Sequence, residues 1–382
     1  MILSALKYTR YTGTPREWSV VGRSDDYAYF GNINLLVGKN ASGKSRTLNI
    51  IREIAGLLSG SINLSQAMCS TQRFEMIFTD DGKDYKYILD FKDRVVQDEI
   101  LFSGNKLQLD RSKRILLDSQ GNTLVYNDID ESQLLVSQKD VNGLPYFEDF
   151  VVWGNSLRNY LFSNQLEKNR LVKDYTRIGE SNLEIGDPDI LIYTFYRGEE
   201  LFGKSFISEI LSNMQDLGYY LTDISIQEKN GWYGLSVEEE GKYMVPQREM
   251  SQGMFRALSL FIMLTYVRLN EQSLCLLIDD IGEGLDFESS KKVMDIIVKK
   301  VNKSDMQFFM TSNDRVIMNR IPLRYWSVID RDKNKSVFYD YANSKEIFED
   351  FKYTGLNNFD FLTTNFFRKG FGIMDEDNDD IE

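Results

Sequence analysis

An α/β fold is predicted by three observations. The apolar run Ile33-Asn34-Leu35-Leu36-Val37 leads straight into Gly38-Lys39-Asn40-Ala41-Ser42-Gly43-Lys44-Ser45, and a helical pattern comes immediately after. Far downstream a second apolar run, Leu274 to Ile278, ends in the carboxylate pair Asp279-Asp280. A third, Gln307 to Met310, closes on Thr311-Ser312-Asn313-Asp314. Short runs that are apolar on both faces read as buried parallel strands, and their alternation with helical patterns reads as a layered α/β core.

The first run opens a GxxxxGK[ST] phosphate loop in its required setting, after a strand and before a helix. Gly38 and Gly43 let successive backbone N–H groups turn inward around an anion, with Asn40, Ala41 and Ser42 completing the arc. Lys44 is placed to reach the β- and γ-phosphates of ATP or GTP, and Ser45 to offer its hydroxyl to Mg²⁺. Arg46, next in line, counts among the nucleotide-binding residues. The helix is predicted from Lys44 to about Leu58, with Leu48, Ile51, Ile54, Ala55 and Leu58 on one face and Gly60 as its stop.

The strand ending in Asp279 and Asp280 suits the carboxylate side of such a site. Asp279 is expected to hold Mg²⁺, directly or through water, and Asp280 stands where a water-activating glutamate is commonly found. One methylene shorter than glutamate, Asp280 reaches about 1.5 Å less far, which predicts slow hydrolysis.

Composition bounds the rest. The 382 residues are 42% hydrophobic and 13% aromatic, ample for a packed core. No apolar run is long enough to span a bilayer, and the start lacks the charged and apolar regions of a secretory signal, so the cytoplasm is the expected location and no membrane partner is expected. Cys69 and Cys275 imply neither a disulfide nor a zinc framework, and Cys275 reads as a small core hydrophobe. Histidine is absent, so imidazole chemistry is excluded. A net charge of −13 disfavours unassisted binding to a phosphate backbone, and the basic stretches Arg111-Ser112-Lys113-Arg114 and Lys299-Lys300-Val301-Asn302-Lys303 are short.

Between the phosphate loop and the Asp279 strand, Met250-Ser251-Gln252-Gly253-Met254 opens an apolar helix through Leu258, Leu260, Phe261 and Leu264. This resembles the signature motif of ABC-type ATPases. The resemblance implies that Ser251 and Gly253 touch the γ-phosphate of a nucleotide held by the opposite protomer, as a helix start favours. It continues with Gly284-Leu285-Asp286 at the place of the D-loop, where Asp286 joins the nucleotide-binding set, and with Asn313 at the place of the switch histidine. Asparagine can bond a γ-phosphate through its amide but carries no proton or charge. Lys44, Asp280 and Asn313 are thus the expected catalytic residues, and the off-pattern Asp280 and Asn313 again predict slow turnover. Gln72 and Gln97 are the candidates for the Q-loop glutamine.

The stretch from Ser45 to Ser251 is longer than in a compact transporter ATPase, and Gly154, Gly179, Gly186, Pro188, Gly198 and Gly203 interrupt it too often for a long coiled coil. Arg73 to Phe78 and Tyr85 to Phe91 read as a hairpin about Asp81-Gly82, with further strands through Leu101 and Leu107. Ser156 to Val172 and Ser205 to Leu217 carry helical spacing, and Tyr219 to Met244 returns to short strands broken at Asn230-Gly231. The predicted fold is an α/β P-loop ABC-type ATPase core with an antiparallel β-section and a short helical insertion.

This arrangement resembles the small SMC-like branch of ABC ATPases, which includes RecF-like repair proteins and the ATPases of overcoming-lysogenization-defect, Septu and related anti-phage systems. The expected divisions are an N-terminal ATPase lobe over 1–150, a helical lid over 151–220, a C-terminal lobe over 221–335, an aromatic docking element over 336–374 and an acidic tail over 375–382. The resemblance implies a homodimer around ATP and Mg²⁺ that holds or releases a separate effector, a nuclease or toxin. A RecF-like ATPase that clamps DNA is the alternative, and a transporter ATPase fits the long β-rich insertion least.

Overall fold

A computed structural model describes residues 1–118, 121–124, 130–138, 145–161, 168–173, 190–270, 273–283, 285–301 and 306–371. The glycines at 179, 186 and 284, Pro188, the C-terminal end of the 299–303 basic stretch and the acidic tail fall outside them.

In chain order the strands are β1 (Ile2–Arg10), β2 (Trp18–Gly22), β3 (Ala28–Tyr29), β4 (Ile33–Val37), β5 (Gln72–Asp80), β6 (Lys83–Lys92), β7 (Val95–Ser103), β8 (Lys106–Asp110), β9 (Ile115–Leu116), β10 (Leu157–Leu161), β11 (Leu221–Lys229), β12 (Trp232–Glu239), β13 (Tyr243–Pro246), β14 (Leu274–Asp279), β15 (Met306–Thr311), β16 (Trp326–Asp332) and β17 (Lys335–Asp340). The helices are α1 (Lys44–Ser59), α2 (Pro145–Ser156), α3 (Ile190–Phe202), α4 (Lys204–Asp216), α5 (Gln252–Leu269), α6 (Phe287–Val301), α7 (Arg315–Arg320), α8 (Lys345–Phe351), α9 (Asn358–Thr363) and α10 (Phe366–Lys369). They fall into two compact units interleaved in sequence. Unit 1 holds Leu48–Asn63 and Val136–Ile317, unit 2 holds Ile2–Thr47, Leu64–Leu135 and Met318–Glu382, and the division runs through α1.

Unit 2 is built on a mixed sheet ordered β4-β16-β17-β2-β1-β5-β6-β7-β8-β9, with β3 also on β1. Strand β4 is buried along its whole length and pairs parallel with β16, as a continuous apolar run requires. The hairpin read from sequence is present: β5 pairs antiparallel with β6 about the Asp81-Gly82 turn. Along β5, Phe74, Met76 and Phe78 are fully buried while Arg73, Glu75 and Ile77 are not, the period of two that a strand with one wet face imposes. Each such side chain contributes about 1.5–3 kcal/mol by leaving water. The C-terminal aromatics pack on one another and on the sheet: the Phe361 ring lies 4.7 Å from Phe348, 5.0 Å from Phe351 and 6.5 Å from Trp326. Tyr353, Leu356 and Phe371 stay exposed.

Unit 1 carries the parallel strands β10, β14 and β15, with β14 flanked by the other two, and a separate antiparallel sheet of β11, β12 and β13. The hairpin of β11 and β12 turns at Asn230-Gly231, both with positive φ, as a two-residue turn of this kind demands. Helix α5 is buried along almost its full length. One expectation fails here. The helical spacing read over Ser156 to Val172 does not hold at its two described ends: α2 ends at Ser156, Leu157–Leu161 is a strand paired in parallel with β14, and Val172 forms an antiparallel bridge with Tyr233, while 162–167 lie outside the described residues. Leu157 and Leu161, four apart, fit a helical stripe and one face of a strand equally well, and the pairing with β14 decides between them. The second segment is helical, as α4.

Candidate functional site

The phosphate loop lies in unit 2 and leaves β4 at Gly38. Ser42 N–H closes the arc on Lys39 C=O at 3.2 Å, and α1 begins at Lys44. Gly43 has φ +116°, and a Cβ there would meet Ser336 Oγ at 2.4 Å, so only glycine lets β17 approach the loop this closely. Ser336 uses that approach to donate to Ser42 C=O at 2.6 Å, and an Arg331 guanidinium nitrogen donates to Ala41 C=O at 3.3 Å. The loop is therefore held from outside by β16 and β17.

Lys44, 8% exposed, directs its ammonium back at the loop, donating to Gly38 C=O at 2.8 Å and Lys39 C=O at 3.3 Å. Ser42 Oγ is buried without a hydrogen-bond partner. An ammonium turned onto its own loop's carbonyls and an orphaned hydroxyl together fit a phosphate group. Asn40 and Ser45 are exposed at the loop and the first turn of α1.

Sequence reasoning missed the surroundings of Arg46. Its guanidinium stands 4.5 Å from the Trp18 ring centroid, and that of Arg10 stands 5.5 Å from the same ring. Desolvation by burial, followed by repulsion from Arg10 and Arg331, pushes the Arg46 guanidinium below its ordinary value. These three arginines come from β1, α1 and β16 and make no ion pair among the described residues, so unit 2 offers uncompensated positive charge beside the loop. No sequence period links them. Gln72 is buried, accepting from the Tyr8 hydroxyl at 2.7 Å and donating to Cys69 C=O at 3.0 Å, whereas Gln97 is exposed on β7.

Unit 1 carries the other predicted residues, and one unpredicted side chain organises the carboxylates. The Thr311 hydroxyl, fully buried at the end of β15, donates to Asp279 Oδ1 at 2.5 Å and accepts from Asp280 N–H at 2.8 Å, while Thr311 C=O accepts from Ile281 N–H at 2.9 Å. Asp280 is exposed with φ +53°, a left-handed conformation that aspartate tolerates better than most residues. Ser312 Oγ donates to Ile281 C=O at 3.2 Å. Arg256, buried on α5, donates to Glu283 C=O and lies 3.9 Å from its carboxylate, tying α5 to the turn after β14.

Ser251 caps α5 by accepting from Met254 N–H at 3.1 Å, and Gly253 sits in that first turn. Asp286 caps α6: its carboxylate accepts from Ser289 N–H at 2.9 Å and Ser289 Oγ at 2.7 Å, bonds that hold its carboxyl below the ordinary range. Burial, and to a lesser extent the Asp286 charge, push the Tyr219 phenol up, and Ser251 pulls it down. Asn313 is exposed just beyond β15, and Asp314 caps α7 through Val316 and Ile317 N–H at 2.7 and 3.1 Å. Among the described residues no three His, Cys, Asp or Glu side chains cluster.

No family model and no curated protein matches the chain. Among solved structures it is similar to an SMC head bound to the C-winged helix domain of ScpA, at 13% identity over 88% of this chain and 97% of that one, with a TM-score of 0.54. It is similar also to an SMC head domain with an extended coiled coil bound to the C-terminal domain of ScpA derived from Pyrococcus furiosus, at 12% identity over 92% and 99% of the two chains, with a TM-score of 0.50. The fold is that of an SMC head. The α/β ABC-type core expected from four short motifs is thereby observed across most of the chain. No described helix is long and apolar enough to cross a membrane.

Proposed function

We propose that this chain binds ATP with Mg²⁺, hydrolyses it slowly, and uses the nucleotide to bring two copies together. The observation that carries the reading is the Lys44 ammonium held on the carbonyls of its own loop beside the orphaned Ser42 hydroxyl, an arrangement a phosphate would complete. On binding, Lys44 exchanges Gly38 C=O for phosphate oxygens, and the start of α1 adds its positive dipole end. Ser45 and Asp279 would hold Mg²⁺, which when bound neutralises phosphate charge. Asp280 accepts the proton of the attacking water, and Thr311 fixes it by its backbone N–H. Asn313 offers an amide to the γ-phosphate, and Ser251 and Gly253 of a second copy complete the set.

Slow turnover follows from two short-handed groups. The Asp280 carboxylate is one methylene shorter than glutamate, and Asn313 cannot become a cation. Such a chain suits a timed switch. The resemblance of the segment arrangement to anti-phage ATPases supports a role as sensor and scaffold for a separate nuclease or toxin, and the exposed Tyr353, Leu356 and Phe371 suit the anchoring of a partner. Equilibrium binding of ATP with Mg²⁺ to the native chain and to Lys44→Ala tests the reading. Micromolar binding lost in the variant is expected, and equal affinity in both would refute it.

A further inference from the structure

Unit 1 contains a second feature with nucleotide chemistry, built from residues outside the phosphate loop and outside the signature, carboxylate and switch segments. Residues 168–173 lie along the start of β12, where Val172 and Tyr233 exchange backbone bonds of 3.0 and 2.7 Å. Buried Gln247 clamps this segment: its amide nitrogen donates to Lys168 C=O at 3.1 Å and Arg170 C=O at 2.7 Å, while its oxygen accepts from Leu235 N–H at 3.0 Å. Leu171 fills the space over Gly234, where a Cβ would strike it at 2.5 Å. Arg248 Nε donates to Asn169 C=O at 3.3 Å. The result is a cavity of about 530 Å³ lined by Arg170, Leu171, Val172, Lys173, Trp232 and Arg248.

Its chemistry runs against the net charge of −13 that the chain carries. Among the described residues three cationic side chains line it and no carboxylate does, and neither Lys173 nor Arg248 makes an ion pair there. Trp232 is 40% exposed, with the Lys173 ammonium 4.9 Å from its ring centroid. An exposed aromatic ring beside uncompensated cations, in a concave site of ligand size, matches a base that stacks and a phosphate that pairs. An acidic peptide would use the cations but leave the ring without a partner.

The geometry points to this cavity as a site for a nucleotide unit of a single-stranded nucleic acid, its base on Trp232 and its phosphates along Arg170, Lys173 and Arg248. It is independent of the phosphate loop, so the test is made in full-length Lys44→Ala protein without ATP. Trp18, Trp153 and Trp326 are 4%, 2% and 1% exposed, so quenching of tryptophan fluorescence by a short oligothymidylate reports on Trp232. Saturable quenching is expected, and labelled-oligonucleotide anisotropy should show Trp232→Ala weakening binding about five- to a hundred-and-fiftyfold, with Trp232→Phe retaining most of it. Lys173→Ala and Arg248→Ala should each flatten the salt dependence by about 0.7 in log–log slope. Thymidine monophosphate competing at comparable concentration would identify the same site with a free nucleotide as its source, and competition by oligomers alone would identify the strand. Absence of binding, binding indifferent to Trp232→Ala, or equal quenching by polyglutamate would overturn the assignment.

Discussion

The phosphate loop of unit 2 and the turn after β14 in unit 1 meet opposite chemical demands by opposite means. The loop is mostly backbone, with one ammonium and three nearby arginines that no carboxylate among the described residues pairs, so it favours an anion before any arrives. The turn is mostly side chain: two aspartates tied to one buried threonine hydroxyl, in a unit whose helix starts are capped by Ser251 and Asp286. In the proposed cycle the first region binds and the second acts. A substitution in the loop should therefore abolish occupancy, whereas one in the turn should leave occupancy intact and slow hydrolysis.

The largest expected effect is that of Lys44→Ala. Removing the ammonium from a buried loop is expected to weaken ATP binding by about 2–5 kcal/mol, roughly thirty- to several-thousandfold, as isothermal titration would show. Next comes Asp280→Asn, which keeps a residue type tolerant of the left-handed conformation and removes only the base. Steady-state turnover should fall about 10²–10⁴-fold with ATP affinity within a factor of about two. Parallel loss of affinity would erase the contrast between the two regions.

Thr311→Val sharpens the comparison because it keeps the shape of the side chain and deletes only the hydroxyl. With two hydrogen bonds lost at a fully buried position, denaturant unfolding should register about 1–3 kcal/mol of destabilisation, and turnover should drop more than ATP affinity. A last effect, on stability alone, concerns Asp340, outside both regions. Burial pushes its carboxyl up to about 6 from 3.8, against the pull of Tyr29, Asn343 and Ala342 N–H groups. Between those values the folded chain holds a proton that the unfolded chain has released, so stability should fall as pH rises from about 4 to 6 and level off above. The stability–pH profile of Asp340→Asn should be flatter in that window by up to about 1.4 kcal/mol per pH unit.

Legibility in the sequence tracks contiguity. Strand β4, the loop and α1 are one unbroken segment, and the helix observed from Lys44 to Ser59 matches its reading to within a residue. The β5–β6 hairpin is equally plain, because a period of two and a glycine turn are local signals. The illegible features come from residues far apart in the chain. Thr311 lies inside a recognisable segment, yet nothing in its type says that its hydroxyl serves residues 279 and 280. Tyr219, Arg256, Trp18 and Arg331 act through partners that only tertiary structure supplies. Leu157–Leu161 reads as helix for the same reason, since a parallel neighbour overrides a local period.

At the centre of the proposed cycle, nucleotide held by the phosphate loop of one copy recruits Ser251 of another. Light scattering of Asp280→Asn protein with ATP and Mg²⁺, beside the same protein carrying Ser251→Arg, tests this most directly. The expected result is a mass that doubles on adding ATP in the first and stays unchanged in the second, with ATP still bound to both. A mass indifferent to ATP in the first, or doubling equally in the second, would contradict it.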